Sequence, residues 1–284
     1  MKQKIKIGMC IDFNEIDQRF PVVARLGVQS VSLTGKVPLP ERDWERVAAR
    51  VRDFTRETGI SVSTIGVYGN PLNSEQDRLE LEKMIHLAKS FGTDMVSTFA
   101  GALPGKPVEA AFARFQEVFA PLATEALKRN VRIAIENCLK QGSWMCATQN
   151  IAFNPKAWEK MFELVPYENL GLEWEPAHQL AQLIDPIAQL KRWGNKVFHV
   201  HGKDGIINWD FIQHYGVSGT GYHAQFCNPG NGETDWKVIA DILKEHNYNG
   251  SISIEGGHDP FYTGEKEIEG EYKTLCYLKK CVRY

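Results

Sequence analysis

The strongest constraint on the fold is a repeating order, in which an apolar stretch is followed by an amphipathic helix, eight times without a linker-like break. The strand stretches fall at residues 5–11, 28–33, 60–67, 95–99, 131–136, 170–175, 197–201 and 251–255. Helices are read at 15–26, 41–57, 75–91, 107–129 and 266–281, and one runs from Asp235 to about 246. Asn154-Pro155 and Asp185-Pro186 open two more, each a capping side chain followed by proline at the first helical position. Gly27, Gly59 and Gly92 close the early helices. Strict alternation implies a parallel sheet. Eight such units in 284 residues suit a single closed (β/α)8 TIM barrel spanning 1–284. An open doubly wound sheet fits less well, because no glycine-rich phosphate loop follows the first strand. Residues 205–234 are expected to be irregular.

Composition narrows the function classes. At 43% hydrophobic the chain can bury one large core, and a formal net charge of −2 offers nothing to a nucleic acid. No apolar run reaches membrane-spanning length, and the first ten residues lack a signal-peptide core. The six cysteines show no CxxC pair. A cytoplasmic protein with reduced thiols is expected.

A barrel places chemistry at the C-terminal ends of its strands. The sixth strand, LGLEWEPAH, alternates apolar and acidic residues, so Glu173 and Glu175 share a face until Pro176 ends the ladder. The fifth ends IAIENC, with Glu136 as its last inward candidate. In the seventh, FHVHGKD, His199 and His201 share a face. In the eighth, SISIEGG, Ser253 and Glu255 do. Four consecutive strands thus deliver an ionisable group to the same rim. Three ionised carboxylates and a neutral imidazole, the ordinary forms at pH 7, would bring about three negative charges together there, and only a cation makes that tolerable. Glu136, Glu175, His201 and Glu255 are therefore expected to hold one divalent ion. Oxygen-rich ligands suit Mn2+ first, then Mg2+, with Co2+ and Zn2+ open.

Other residues carry two readings each. Glu173 and His199 lie deeper, and Glu173 needs a partner, His199 or Lys203; support for the ligands suits it better than ligation. Lys203 contacts substrate or pairs with Asp204. His258 contacts substrate or is solvated. Trp144, near the fifth strand, stacks on a sugar ring or packs. Trp174 and Trp236 read as packing, and His223 as falling short of the barrel mouth.

The motifs IAIENC, EPAH, HVHGKD, NPGNGETDW and SISIEGG resemble the xylose isomerase-like TIM-barrel superfamily, from the fifth strand to the end of the chain. That superfamily includes sugar isomerases, ketose 3-epimerases, inosose dehydratases and endonuclease IV. The resemblance implies that Glu136 and Glu255 both bind metal and shuttle protons. Glu175 stands where an Asp is usual, and His178, three residues on, would hydrogen-bond a substrate hydroxyl. The implied reaction is proton abstraction beside a carbonyl, isomerising or epimerising a small sugar, with dehydration as the alternative. A homodimer or homotetramer is implied as well. A nuclease of the endonuclease IV type would need histidines at the ends of the third and fourth strands, and VYGN and TFAG supply none. A non-catalytic binding barrel would not need the acid/base pair.

Overall fold

The computed structural model describes residues 5–218 and 221–283. Eight parallel strands close into a barrel: β1 Lys6–Asp12, β2 Ser30–Lys36, β3 Ser61–Tyr68, β4 Met95–Thr98, β5 Arg132–Glu136, β6 Leu170–Trp174, β7 Val197–Gly202 and, eighth around the ring, Ser251–Ile254. Between β7 and that last strand the chain forms a separate antiparallel pair, β8 Asp204–Ile207 and β9 Ala224–Cys227, so the closing strand is β10. The helices are α1 Ile16–Leu26, α2 Trp44–Thr58, α3 Glu75–Leu87, α4 Phe112–Lys128, α5 Pro155–Leu164, α6 Ala177–Leu180, α7 Pro186–Trp193, α8 Trp209–Tyr215, α9 Trp236–Glu245 and α10 Glu267–Cys281.

Local chemistry explains most boundaries. The helix expected from residue 41 starts at Trp44, because the Asp43 side chain accepts from Arg46 N at 3.0 Å and takes the cap. From there Trp44, Ala48, Val51 and Phe54 form one buried stripe against the barrel, and Gly59 ends the helix at φ 73°, a left-handed conformation that favours glycine. Asn154 and Asp185 cap α5 and α7 through their side-chain oxygens, as their Asn-Pro and Asp-Pro pairs imply. The expected helix 107–129 begins with a 3-10 turn, Val108–Ala111, before α4.

The core lies between the strands' outer faces and the helices. Trp158, Trp174 and Trp236 are its largest fully buried side chains, and each buried aliphatic or aromatic side chain contributes roughly 1.5–3 kcal/mol. Trp174 and Trp236 pack as expected, each also donating its indole N–H, to Gln179 and to Asp204.

The segment 205–234 departs from the irregular expectation, although residues 219 and 220 lie outside the described part. It holds most of β8, α8 and β9. Asp204 anchors it, accepting from Thr234 N, Thr234 Oγ1 and Trp236 Nε1 at 3.2, 2.6 and 2.9 Å. Four-residue strands carry too few alternations to be read from sequence.

Candidate functional site

Backbone geometry sets four side chains around one point. Glu136 is the last residue of β5, Glu175 and Glu255 stand just past β6 and β10, and His201 is the penultimate residue of β7. One ligand atom from each lies within 4.8 Å of all the others. His201 Nδ1 is 3.2 Å from Glu136 Oε1 and 3.5 Å from Glu255 Oε2. Two asparagines hold the acidic strand ends. Asn137 accepts from Glu175 N at 2.7 Å and donates to Glu175 O at 2.8 Å. Asn150 Nδ2 donates to the carbonyls of Glu136 and Cys138, both at 2.9 Å.

Beneath this layer lies a second. The Tyr68 hydroxyl donates to Glu173 Oε2 at 2.6 Å, and His199 Nδ1 is 2.7 Å from Glu173 Oε1. His199 Nε2 faces Ser253 Oγ at 3.0 Å, so His199 is a hydrogen-bonded interior residue, as expected. Glu173's partners are thus His199, Tyr68 and, at 3.2 Å, His201 Nε2, not Lys203. Tyr68 and Asn150 carried no sequence signal, and Asn137 carried none beyond its place in IAIENC: each acts through a contact remote in the chain.

Burial and neighbouring charges pull these groups in opposite directions. Burial pushes the Glu136 carboxyl up to about 7, aided by Glu175 and Glu255 and opposed by His201. Burial would raise Glu255 too, but Lys203 Nζ at 3.2 Å and His258 Nε2 at 3.1 Å of its Oε1 hold it well below the usual range. Burial of Glu175 is likewise outweighed, by His178 and Lys203. An ionised carboxylate removed from water costs several kcal/mol unless compensated, and Glu173 and Glu175 are both 0% exposed.

The residues fit a divalent cation. Both oxygens of Glu175 and Oε2 of Glu255 are buried without an aligned hydrogen-bond partner. His178 Nε2 approaches Glu175 Oε1 to 2.9 Å, but as an ion-pair contact, and the same nitrogen is 3.0 Å from Cys138 Sγ. Buried oxygens of this kind call for a partner, and three carboxylates with one imidazole are a donor set for Mn2+, Mg2+, Co2+ or Zn2+.

The cluster opens on a cavity of about 740 Å3, within the range of small-molecule sites. Glu136, His178, His201, Lys203, Glu255 and His258 line it. Lys203 pairs with Glu255, while Asp204 turns away into its own structural bonds, so of the two readings of Lys203 the pairing with Asp204 is not the one that forms. His223 was expected to fall short of the mouth; it lines the cavity, its Nε2 2.8 Å from Ala181 O. The β8–β9 pair carries it there. Trp144 is the opposite correction. It does not line the cavity, its indole N–H donates to Glu109, and Lys156 Nζ lies 4.9 Å over its ring. The loop folds back toward α5, and the aromatic wall comes instead from Tyr68, Phe99, Tyr222 and Phe226. At the ends of β3 and β4 stand Tyr68 and Phe99 rather than nuclease-type histidines.

Sequence relatives are distant. The chain is 23% identical over 252 residues to an inosose dehydratase of Clostridium beijerinckii, covering 85% of this chain and 72% of that protein. It is 29% identical over 107 residues to an inosose dehydratase of Clostridium tetani, covering 36% of this chain and only 35% of that protein. Among solved structures, an L-ribulose 3-epimerase superposes with a TM-score of 0.72 at 15% identity, covering 98% and 94% of the two chains. The IolI protein with a bound zinc atom does so at 0.73 and 16%, covering 97% and 98%. A family model described as the xylose isomerase-like TIM barrel matches residues 20–280. With the closed eight-stranded barrel and a match over nearly the whole chain, the protein belongs to the xylose isomerase-like TIM-barrel family.

Proposed function

We propose that this chain is a divalent-metal-dependent enzyme that abstracts a proton beside the carbonyl of a sugar, keto-sugar or keto-inositol, and so isomerises or epimerises it. The observation that carries the reading is the convergence of Glu136, Glu175, His201 and Glu255 within 4.8 Å, with buried oxygens lacking partners, three of the four lining the cavity. Mn2+ is the ion proposed first. When bound, it supplies Lewis acidity toward the substrate's carbonyl and adjoining hydroxyl oxygens.

The side chains do the proton work. Glu255 Oε2, without an aligned partner, takes the proton as the C–H bond breaks, and the electron pair passes to the carbonyl oxygen as an enediolate forms. Glu136, across the cluster on β5, takes a proton from solvent and delivers it to the other face of the carbon. His178 and His258 hold substrate hydroxyls, and Lys203 keeps Glu255 ionised and oriented through their 3.2 Å contact.

Dehydration is the second reading. The inosose dehydratase relatives support it. So does the pairing of Glu255 with Lys203 and His258, two nitrogen groups of the kind that would protonate a departing hydroxide. A panel of ketoses, 3-keto sugars and keto-inositols incubated with Mn2+-loaded protein and followed by NMR tests both. Inverted or migrated carbonyl signals support the first, and loss of water the second. No turnover of any member after metal loading sinks both.

No helix among the described residues is long and apolar enough to cross a membrane. All six cysteines are free.

A further inference from the structure

His201 has two nitrogens facing two different sets of carboxylates. Nδ1 points at Glu136 and Glu255, at 3.2 and 3.5 Å, in the layer that opens on the cavity. Nε2 points inward, where it is buried without an aligned hydrogen-bond partner, and Glu173 Oε1 lies 3.2 Å from it. A neutral imidazole carries its proton on one nitrogen and its lone pair on the other, and the group facing each decides which.

Glu173 is built to decide this. It is 0% exposed, and the Tyr68 hydroxyl fixes Oε2 while His199 fixes Oε1. Neither contact consumes the carboxylate's charge, since both donate to it. Ser253 in turn orients His199, so four strands, β3, β6, β7 and β10, hold one carboxylate against the inner edge of His201. Glu173, His199 and His201 also lie close enough to be a ligand group themselves. Glu173 and His199 are already hydrogen-bonded, however, so they support a site rather than form one.

Resting on the metal-dependent reading above, we propose that Glu173 is a positioning residue: it keeps the proton of His201 on Nε2 and makes Nδ1 the atom offered to the ion. A carboxylate behind a ligating imidazole fixes ring orientation and raises ligand basicity, and its loss typically costs 10–100-fold in metal affinity.

The test uses the full chain loaded with diamagnetic Zn2+. In 15N-histidine-labelled wild type, His201 Nε2 should carry the proton and Nδ1 should show the metal-bound shift. Glu173→Gln should lower Zn2+ affinity, measured by chelator competition, 10–100-fold. Tyr68→Phe, which keeps the carboxylate and its charge and removes one hydrogen bond to it, should lower Zn2+ affinity by less than Glu173→Gln does. Zinc on Nε2, or unchanged affinity in a folded Glu173→Gln, overturns the inference while the metal-dependent reading stands. If Glu173→Gln does not fold, the wild-type nitrogen assignment decides alone. A wild type that binds no Zn2+, Mn2+ or Mg2+ overturns both.

Discussion

The two halves of the cavity wall are built differently. Strands β5, β7 and β10 bring Glu136, His201, Lys203 and Glu255 to it, with Glu175 of β6 fully buried behind them, and these groups are locked to one another across the barrel. Strands β1 to β4 present Cys10, Asp12, Thr34, Gly35, Lys36, Tyr68 and Phe99, a mixed surface with no shared acidic cluster. Yet the halves meet underneath, because Tyr68 on β3 reaches Glu173 on β6 at 2.6 Å. The difference teaches a division of labour: one half holds charge at fixed positions, and the other shapes what may lie against it.

The comparison breaks first at the acid/base pair. Glu136→Gln and Glu255→Gln should each lower turnover at least the ~10²-fold typical of general-base loss, measured on the active member of the substrate panel. In D2O the wild type should place deuterium at the reacting carbon, and each variant should lose exchange from one face. Turnover without solvent deuterium would point to hydride transfer and leave both residues as ligands only.

The next effect is on pH. A proton on Glu136 competes with any ion there, and this carboxyl sits at about 7 in the metal-free protein, raised chiefly by burial. Metal affinity should therefore climb up to tenfold per pH unit from roughly 5 to 7 and then level off. The same shift has a stability sign. The folded value lies above the ordinary Glu value of about 4.3, so this group's stabilising contribution is complete below about 4 and is lost as pH rises through about 7. Metal-free protein should then lose on the order of a few kcal/mol from this group, read as a falling Tm between pH 5 and 7. Glu136→Gln should flatten that fall.

His178→Ala comes third. Its ring lies edge-on to Phe226 at 4.8 Å and lines the cavity. Substrate KM should rise about 10-fold, the worth of a hydrogen bond to a polar group in a closed site, while Mn2+ content measured by atomic absorption stays unchanged. Metal lost together with the imidazole would make His178 a ligand.

The smallest effect sharpens the other half. Lys36→Ala and Phe99→Ala, on the wall without a cluster, should leave metal affinity unchanged and move KM between panel members by a few-fold, about 1 kcal/mol for a single contact. A large loss of kcat in either variant would erase the division between the halves.

Much of the charged half was legible because strand geometry is short-range. Residues two apart share a face, and a proline or glycine ends the ladder, so Glu136, Glu175, His201 and Glu255 could be placed at one rim from the sequence alone. The capped helices were legible for the same reason, since a cap is satisfied within four residues. The alternation of elements pointed to the barrel, because each parallel strand needs a crossover to reach the next, and seven crossovers link the eight strands whose first and last pair to close the ring. Tertiary structure decided the rest. Whether Trp144 meets the cavity depends on how its loop folds back, and whether His223 does depends on the pairing of β8 with β9. Lys203 could pair with its neighbour Asp204 or with Glu255, 52 residues away, and Thr234 and Trp236 settled it by taking Asp204. The partners of Glu173 come from strands 105 and 26 residues distant in the chain. Such contacts have no local period, and only closure of the barrel brings them within hydrogen-bond reach.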